Sequence, residues 1–433
     1  MASPVRILRL ATGGDGVGKL EDGRTVFVPR TAPGDLVELR EIRTHARFAR
    51  GRLARLIEPG AGRVVPGCQH YLADDCGGCQ LQHLDRDSQL EAKRGIVEEA
   101  LTRIGRLEVS VPPLVADDHS WAYRSRITLT VGPGRRFAGF HALEQPDRVF
   151  PLDRCDIAAA PLMQLWGATR RLLHLLPADA EQLLLRLDRE ANLHLMVMAR
   201  GGQAWTGGPR VAAGLSEQGV PASVWWQPEG GAPRVVAGDR DVFPATVFEQ
   251  VHPDLGDRIR TWALDQLGSL ATLHAWDLYA GIGETSAALH ARGATVESVE
   301  LDRRAVEHAE RHWRELVRER PESQRPEPSG VVRHVGRVEE LTARLRDPGV
   351  VIANPPRAGM DPAVTRALRR RRPGRMAYIS CDPATLARDL GRLTTAGGES
   401  PDAEPGFRLA AVQCFDLFPQ TAHVETVAVL EGR

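Results

Sequence analysis

The sequence has few or none of the features that mark membrane, secreted or disulfide-rich proteins. Lysine occurs only at Lys19 and Lys93, and aromatic residues make up 5% of the 433 residues. No apolar run approaches the roughly 20 residues that a membrane helix needs, and the first ten residues lack the apolar core of a secretory signal. The six cysteines are too unevenly spread for a disulfide scaffold. We therefore expect a cytoplasmic enzyme of about two or three domains, with no membrane partner.

The net charge of the chain does not indicate a binding partner, because 56 basic and 56 acidic residues cancel. A nucleic-acid partner therefore depends on local clusters of charge. Arginines are concentrated between residues 40 and 55 and again between residues 366 and 375. Either cluster could bind phosphate, and either could be an ordinary solvated face in a chain whose basic residues are almost all arginine.

The first 58 residues contain short apolar segments separated by glycine turns. Strands are predicted at Val5–Leu10, Thr25–Val28 and Leu36–Ile42. This spacing predicts a small β-barrel. The run DGVGKLEDGRTVFVPRTAPGDLVEL resembles the TRAM domain, an OB-like RNA-binding module of RNA-modifying enzymes. We place the domain boundaries at 1–58, 59–249 and 250–433.

Three of the six cysteines, Cys68, Cys76 and Cys79, lie close together, and Cys155 follows at a distance. Three thiols at this spacing suggest a metal site, with buried unligated cysteines as the alternative. Cys76 and Cys79 can bind one centre from a tight glycine turn, Cys68 can reach it from the preceding loop, and Cys155 could supply a fourth thiolate. Four thiolates suit zinc or an iron-sulfur cluster, and the spacing does not choose between them.

Residues 59–249 otherwise predict an α+β domain. A helix is expected at Ser88–Ile104, followed by segments with the alternation of an antiparallel sheet. These segments are Ile127–Val131, Phe137–His141, Leu183–Asp188, Leu193–Ala199 and Ala222–Gln227. The run YRSR at Tyr123–Arg126 could contact the bases and phosphates of RNA, or it could be an ordinary sheet edge.

In the last part of the chain strands and helices alternate, which predicts a Rossmann-like α/β sheet. A strand at Ala275–Tyr279 is followed by the glycine turn AGIG and by a second strand at Thr295–Glu300. Glu300 lies 19 positions after Gly281 at a strand end, where a carboxylate can accept both ribose hydroxyls of an adenosine. The turn lacks the third glycine of the dinucleotide fingerprint, and DLYAGIGETSAAL resembles the S-adenosylmethionine loop of class I methyltransferases.

A thiol is predicted at the point where another strand of this sheet turns into a helix. Asp382 is a good N-cap and Pro383 fits the first helical position, so Cys381 lies beside a helix N-terminus. The unpaired N–H groups and the helix dipole there predict a thiol pKa below the free value of about 8.5, as in a nucleophile. The alternative is a buried structural cysteine. Ligands of such sheets bind beyond the carboxyl ends of the strands, so the glycine turn, the run NPPR and the thiol should face one crevice.

Six runs resemble, in the same order, the RNA uracil-5-methyltransferases of the TRAM-containing iron-sulfur type. They are FEQVHPDL, DLYAGIGE, VELD, NPPRAG, YISCDPATLARDL and DLFPQTAHVETVAVL. The resemblance implies that Cys381 is the nucleophile and Glu425 the base. It also implies a cofactor site for S-adenosylmethionine lined by Gln250, Tyr279, Glu284, Glu300 and Asn354. The run CGGCQLQHL resembles the 4Fe-4S site of the family, which implies a cluster held by Cys68, Cys76, Cys79 and Cys155.

Several positions depart from the family pattern. Asn354 stands where the family has aspartate, and Glu284 stands where asparagine is common. His252 replaces the asparagine that follows the FxQ motif, and Arg337 replaces a small polar or acidic residue beside adenine. Seven residues separate Cys68 from the next cysteine, a longer spacing than in many family members.

The implied reaction is the methylation of carbon 5 of a uridine. That carbon is a poor nucleophile until a thiolate adds at carbon 6, and a base must afterwards remove the carbon 5 proton. A uracil in folded RNA must also leave its stack to be reached. We expect a monomer that acts on ribosomal RNA, with transfer RNA as the second substrate class. The alternative function is a non-catalytic RNA-binding protein that kept the scaffold while Asn354 and Arg337 eroded cofactor binding.

Overall fold

A computed structural model of the chain describes three sheets. The described residues are 4–202, 204–238, 249–319, 330–394 and 406–432. In them a closed five-stranded barrel is followed by two open sheets of seven strands each, which confirms the predicted α/β class with an N-terminal OB-like barrel. Every helix in these ranges is too short or too polar to span a bilayer. Phe248, the first residue of the run FEQVHPDL, lies outside the described residues.

The barrel closes in the order β1-β2-β3-β5-β4. Its strands are β1 (Val5–Leu10), β2 (Gly16–Lys19), β3 (Thr25–Val28), β4 (Leu36–Thr44) and β5 (Phe48–Glu58). Alternate side chains fill its interior, with Val5, Ile7, Val26 and Val37 in the core. The predicted barrel is confirmed. The first arginine cluster lies on β4 and β5, where its members pair in part with carboxylates, such as Arg55 with Glu38 at 2.6 Å.

The central sheet has the order β12-β11-β10-β9-β6-β7-β8. Its strands are β6 (Arg126–Val131), β7 (Ala138–Ala142), β8 (Gln145–Pro151), β9 (Ala180–Leu187), β10 (Leu193–Ala199), β11 (Ser223–Pro228) and β12 (Arg234–Ala237). Helices of this region are α1 (Gln69–Ala73), α2 (Arg86–Arg103), α3 (Ala160–Arg171) and α4 (Gly208–Glu217). The prediction of an antiparallel sheet is wrong for one pair, because β10 and β11 run parallel. Helix α4 supplies the crossover that parallel neighbours require.

The C-terminal sheet has the order β15-β14-β13-β16-β17-β19-β18. Its strands are β13 (His274–Leu278), β14 (Thr295–Glu300), β15 (Val331–Val335), β16 (Val350–Ala353), β17 (Arg375–Ser380), β18 (Arg408–Phe415) and β19 (Glu425–Glu431). Its helices are α5 (Pro253–Gln266), α6 (Glu284–Ala291), α7 (Arg303–Glu319), α8 (Val338–Leu341), α9 (Pro362–Arg371) and α10 (Pro383–Thr394). Strand β16 is buried throughout, as expected for a parallel strand covered on both faces.

Helix α2 joins the central region to the C-terminal sheet. Its residues Val97 and Leu101 belong to the same apolar core as Tyr378 of β17 and Leu386 of α10. The fully buried Lys93 of α2 forms an ion pair with Asp416, which follows β18. A buried ion pair of this kind holds the two regions in one geometry, since leaving either charge alone would cost about 3 to 5 kcal/mol.

Candidate active site

A cavity of about 80 Å³ lies at the carboxyl ends of β13 and β16. It is lined by four of the five residues predicted to bind the cofactor, namely Gln250, Tyr279, Glu284 and Asn354. The fifth, Glu300, ends the neighbouring strand and accepts a hydrogen bond from the Gly281 backbone N–H at 2.8 Å. The structure therefore brings the five residues around the glycine turn. Gly281 and Gly283 have φ of 55° and 79°, in the left-handed region that favours glycine.

The cavity contains one buried acid that the sequence argument treated only as a strand residue. Asp277 lines the cavity, and its side chain accepts a hydrogen bond from the Ser286 hydroxyl. Burial raises the pKa of Asp277 to about 6. The sequence feature that could have identified Asp277 is its position in the run DLYAGIGE, three residues before the glycine turn begins.

The departures from the family pattern have separate structural settings. Glu284 pairs with Arg189 at 3.2 Å and also with Arg260, so two guanidinium groups balance its charge at the cavity. His252 stacks on the Tyr123 ring with a centroid distance of 5.5 Å. Arg337 is exposed at the start of α8.

The two predicted catalytic residues lie side by side at the ends of adjacent strands. In the antiparallel pair of β17 and β19, Ser380 lies opposite Thr426. Cys381 follows Ser380 and Glu425 precedes Thr426, so the register brings the thiol and the carboxyl group together. Cys381 is partly exposed, whereas the side chain of Glu425 is buried. Burial raises the pKa of Glu425 to about 8, and the nearby Arg357 guanidinium opposes this effect.

The predicted turn into a helix at Cys381 is confirmed, but the predicted low thiol pKa is wrong. Helix α10 begins at Pro383, and the Asp382 carboxylate accepts a hydrogen bond from the Thr385 backbone N–H at 2.8 Å. The pKa of Cys381 is nevertheless raised, because the thiol is partly buried and Glu425 is close. These effects outweigh the positive charge of Arg357, which lowers the pKa.

Arg357 is the residue beside the thiol that the sequence argument missed. It belongs to the run NPPR after β16, and its guanidinium lies near enough to Cys381 to oppose the rise in the pKa of the thiol. The loop that carries it is fixed by Asp389 of α10, which accepts hydrogen bonds from the Met360 backbone N–H at 2.8 Å and from the Tyr378 hydroxyl at 2.9 Å. Asp389 therefore connects the arginine loop to the strand that leads to Cys381. The signal for Arg357 was its place in a loop at the ligand edge of the sheet.

The four predicted metal ligands, Cys68, Cys76, Cys79 and Cys155, line one cavity of about 470 Å³. Burial raises the pKa of Cys79 to about 12 and that of Cys155 to about 11, and the neighbouring cysteines add to the increase for both. Four thiolates in this cavity therefore need a cation to stabilise them. Within the part of the chain that the structure describes, no three His, Cys, Asp or Glu side chains are arranged to hold a metal ion. The cysteines thus share a cavity without forming a closed site.

The sheet, the cavity at its carboxyl edge and the acid after the second strand define the class of the S-adenosylmethionine-dependent methyltransferases. Residues 240–433 match the family model "tRNA (Uracil-5-)-methyltransferase", and residues 3–54 match the TRAM domain. A protein of Thermosynechococcus vestitus named as an uncharacterized RNA methyltransferase is 31% identical over 98% of this chain and 97% of its own. A relative of the same name from Listeria monocytogenes serotype 4b is 28% identical over 97% of this chain and 95% of its own.

A solved structure shows the same fold over the whole chain. The tRNA (uracil-54, C5)-methyltransferase of Pyrococcus abyssi, in complex with S-adenosyl-L-homocysteine, covers 99% of this chain and 100% of its own. The TM-score is 0.69 and the identity 22%. The chain belongs to the TRAM-containing family of RNA uracil-5-methyltransferases. It is an S-adenosylmethionine-dependent enzyme that acts on RNA.

Proposed function

We propose that the protein methylates carbon 5 of a specific uridine in structured RNA, with Cys381 as nucleophile and Glu425 as general base. The observation that carries this proposal is the register of β17 and β19, which brings the thiol and the buried carboxyl group together at the edge of the sheet that holds the cofactor cavity. Domain 250–433 is the catalytic part of the proposal. Residues 1–58 and 59–249 hold the RNA.

The order of events follows from the chemistry of uracil. The sulfur of Cys381 bonds to carbon 6, which makes carbon 5 nucleophilic. S-adenosylmethionine supplies the methyl group and, as a sulfonium cation, a positive charge that favours both anions of the site. Glu425 then takes the proton from carbon 5. The electrons of that C–H bond form the carbon 5–carbon 6 double bond, and the sulfur–carbon 6 bond breaks to restore the thiolate.

Arg357 supports the first of these steps. Its positive charge beside Cys381 favours the thiolate over the thiol, against the opposing effects of burial and of Glu425. The same guanidinium lowers the pKa of Glu425, so it favours the ionised form of the base as well. One cation therefore serves both reacting groups.

The cofactor is proposed to bind along the glycine turn, where the 80 Å³ cavity would hold only a part of it. Glu300 would accept the ribose hydroxyls, because each carboxylate oxygen has a lone pair left after its backbone hydrogen bonds. Gln250, Tyr279, Glu284 and Asn354 would line the rest of the site. The paired charge of Glu284 leaves that side of the cavity without an unbalanced anion.

A 4Fe-4S cluster on Cys68, Cys76, Cys79 and Cys155 is proposed to serve structure and RNA placement. The cavity that the four cysteines share supports it, although closing the site requires the thiols to approach one another. Protein purified without oxygen should be brown and contain iron and labile sulfide. One zinc ion per chain with no iron would contradict the cluster.

The RNA substrate is proposed to be ribosomal RNA, on the resemblance of the whole chain. Transfer RNA is the second candidate, because the matching family model and the solved Pyrococcus abyssi structure are described as transfer RNA methyltransferases. Mass mapping of 5-methyluridine in both RNA pools, from cells with and without the gene, separates the two. Loss of the mark from transfer RNA alone would contradict the ribosomal assignment.

The nucleophile is tested with RNA that carries 5-fluorouracil, since fluorine at carbon 5 cannot be removed as a proton. With S-adenosylmethionine the protein should form a covalent complex that survives denaturation. Cys381→Ala should abolish the complex, whereas Cys414→Ala, at a buried cysteine of β18, should retain it. A complex that persists in Cys381→Ala would contradict the assignment.

A further inference from the structure

The loop between β18 and β19, residues 416–424, delivers Glu425 to the active site, and we call it the base loop. Many of its anchors come from outside the C-terminal sheet. They belong to α2, to Tyr123 and to the segment Cys76–Leu81, which we call the cysteine loop. Lys93 donates a hydrogen bond to the Phe418 carbonyl at 2.9 Å, and Tyr123 donates one to the Pro419 carbonyl at 3.0 Å.

Gln420 of the base loop is held by hydrogen bonds from two other segments. It is 5% exposed, and its φ of 69° lies in the left-handed region, which is costly for a residue with a side chain. Its carbonyl accepts hydrogen bonds from the backbone N–H groups of Gln80 at 3.2 Å and Leu81 at 3.0 Å. Its backbone N–H donates to the Gln89 side chain at 3.0 Å, and Gln89 donates back to its side-chain oxygen at 3.0 Å.

The cysteine loop adds a further bond to the same segment. The side-chain oxygen of Gln80 accepts a hydrogen bond from the Ala422 backbone N–H at 3.3 Å, and its amide nitrogen donates to the Gly77 carbonyl at 2.8 Å. Gln80 therefore joins the turn between Cys76 and Cys79 to the base loop, three residues before Glu425. The conformation of the base loop depends on contacts that its own sheet does not supply.

The nucleophile is anchored differently. Cys381 follows β17, and the Arg357 loop beside it is fixed by Asp389 of the same sheet region. Glu425 is the first residue of β19 and directly follows the base loop, so loosening this loop should disturb the end of β19 at Glu425 more than it disturbs the thiol.

We propose that Gln420, held by Gln89 and the cysteine loop, is a positioning residue for the general base. The cysteine loop thus controls proton removal from carbon 5 through hydrogen bonds, at a step that follows methyl transfer. This proposal rests on the proposed function of Glu425. It predicts a defect confined to the last step of the reaction, which a general loss of stability would not produce.

The test uses two variants. Gln89→Leu removes both hydrogen bonds from the Gln89 side chain to Gln420 and keeps a similar side-chain volume. Gln420→Gly removes the Gln420 side chain, and glycine adopts the positive φ of this position readily. The matched control is Gln413→Leu, because the Gln413 side chain donates to the Pro113 carbonyl at 3.0 Å, away from the base loop. Each full-length protein is mixed with uridine RNA and methyl-labelled S-adenosylmethionine. Methylated RNA attached to protein is then measured on denaturing gels.

Gln89→Leu and Gln420→Gly should accumulate the methylated adduct, with its decay slowed between about tenfold and a hundredfold, as for a misplaced catalytic group. Gln413→Leu should behave like the wild type, and cofactor affinity should be unchanged in all three. If Gln89→Leu does not fold, Gln420→Gly decides. No accumulation in the folded variants, or equal accumulation in Gln413→Leu, would overturn this proposal alone, provided that the wild type methylates RNA. A wild type that forms no adduct with 5-fluorouracil RNA would overturn the proposed function, and this proposal with it.

Discussion

Replacing Glu425 by glutamine separates the chemistry of this carboxyl group from its role in the fold. With a pKa of about 8, roughly one-tenth of Glu425 is ionised at pH 7 in the free protein, so glutamine resembles the prevailing neutral form in shape and charge. The variant should fold normally. Glutamine cannot accept the carbon 5 proton, and loss of a general base slows such a step by roughly a hundredfold to ten-thousandfold.

The pH dependence of the same pair of proteins gives a second, independent signature. As the proposed general base Glu425 would act when ionised, so decay of the wild-type adduct should accelerate as the pH rises toward about 8, whereas decay in Glu425→Gln should not follow this profile. Stability should change in the opposite direction. The folded protein holds this proton up to a higher pH than the unfolded chain, so the wild type loses stability as the pH rises between about 4.5 and 8. The limiting slope is roughly 1.4 kcal/mol per pH unit, and the variant lacks this contribution.

The assay is a single-turnover reaction with uridine RNA, followed on denaturing gels. In Glu425→Gln the methylated RNA should remain bonded to Cys381, because the carbon–sulfur bond cannot break until carbon 5 loses its proton. Binding of S-adenosylmethionine, measured by calorimetry, should stay near the wild-type affinity. Turnover of Glu425→Gln at close to the normal rate would refute the reasoning and leave Glu425 as a strand residue only.

The remaining predictions concern the cofactor and the thiol. Glu300→Gln should weaken binding of S-adenosylmethionine about tenfold or more, since a hydrogen bond to a charged acceptor contributes roughly 1.5 to 3 kcal/mol, while covalent capture persists at saturating cofactor. Unchanged affinity in calorimetry would contradict a ribose contact. Arg357→Gln should raise the pKa of Cys381 further and slow its alkylation by iodoacetamide several-fold at pH 8, as measured by mass spectrometry. The surface variant Arg371→Gln should alkylate normally, and equal rates in both would contradict the role of Arg357.

Much of the C-terminal sheet could be predicted because its strands are apolar and short. The bounds of β14 agree with the sequence prediction, and those of β13 differ from it by one residue at each end. An inner strand such as β13 is largely buried, so its apolar residues stand out between glycine turns and helices. Cys381 and Glu300 were proposed by the same logic, since Cys381 follows β17 and Glu300 ends β14. The other candidate site residues were proposed from the family resemblance. The barrel strand β5 was not predicted, because its arginines obscure the alternation of apolar and polar residues that is typical of a strand.

The parts that could not be predicted depend on contacts between distant segments. The pKa of Cys381 reflects burial and the carboxyl group of Glu425, which lies 44 positions further along the chain. A helix N-cap can be predicted from a few residues that are adjacent in sequence. Glu425, in contrast, is brought beside Cys381 by strand pairing. The hydrogen bond between the side chains of Gln89 and Gln420 joins residues 331 positions apart, so no periodic pattern in the sequence predicts it. Local patterns therefore located the site, and tertiary contacts determined its electrostatics.

The structure also bears on whether the family departures eroded the enzyme. Glu284 would disturb the cofactor cavity as an unpaired anion, but Arg189 and Arg260 balance its charge. Glu425 argues in the same direction, because a buried carboxyl group with a strongly raised pKa reduces stability at neutral pH, and such groups are concentrated at functional sites. A protein that only bound RNA would be more stable with an apolar residue there. The carboxyl group is therefore best explained by proton removal, with Arg357 and Cys381 as its working partners.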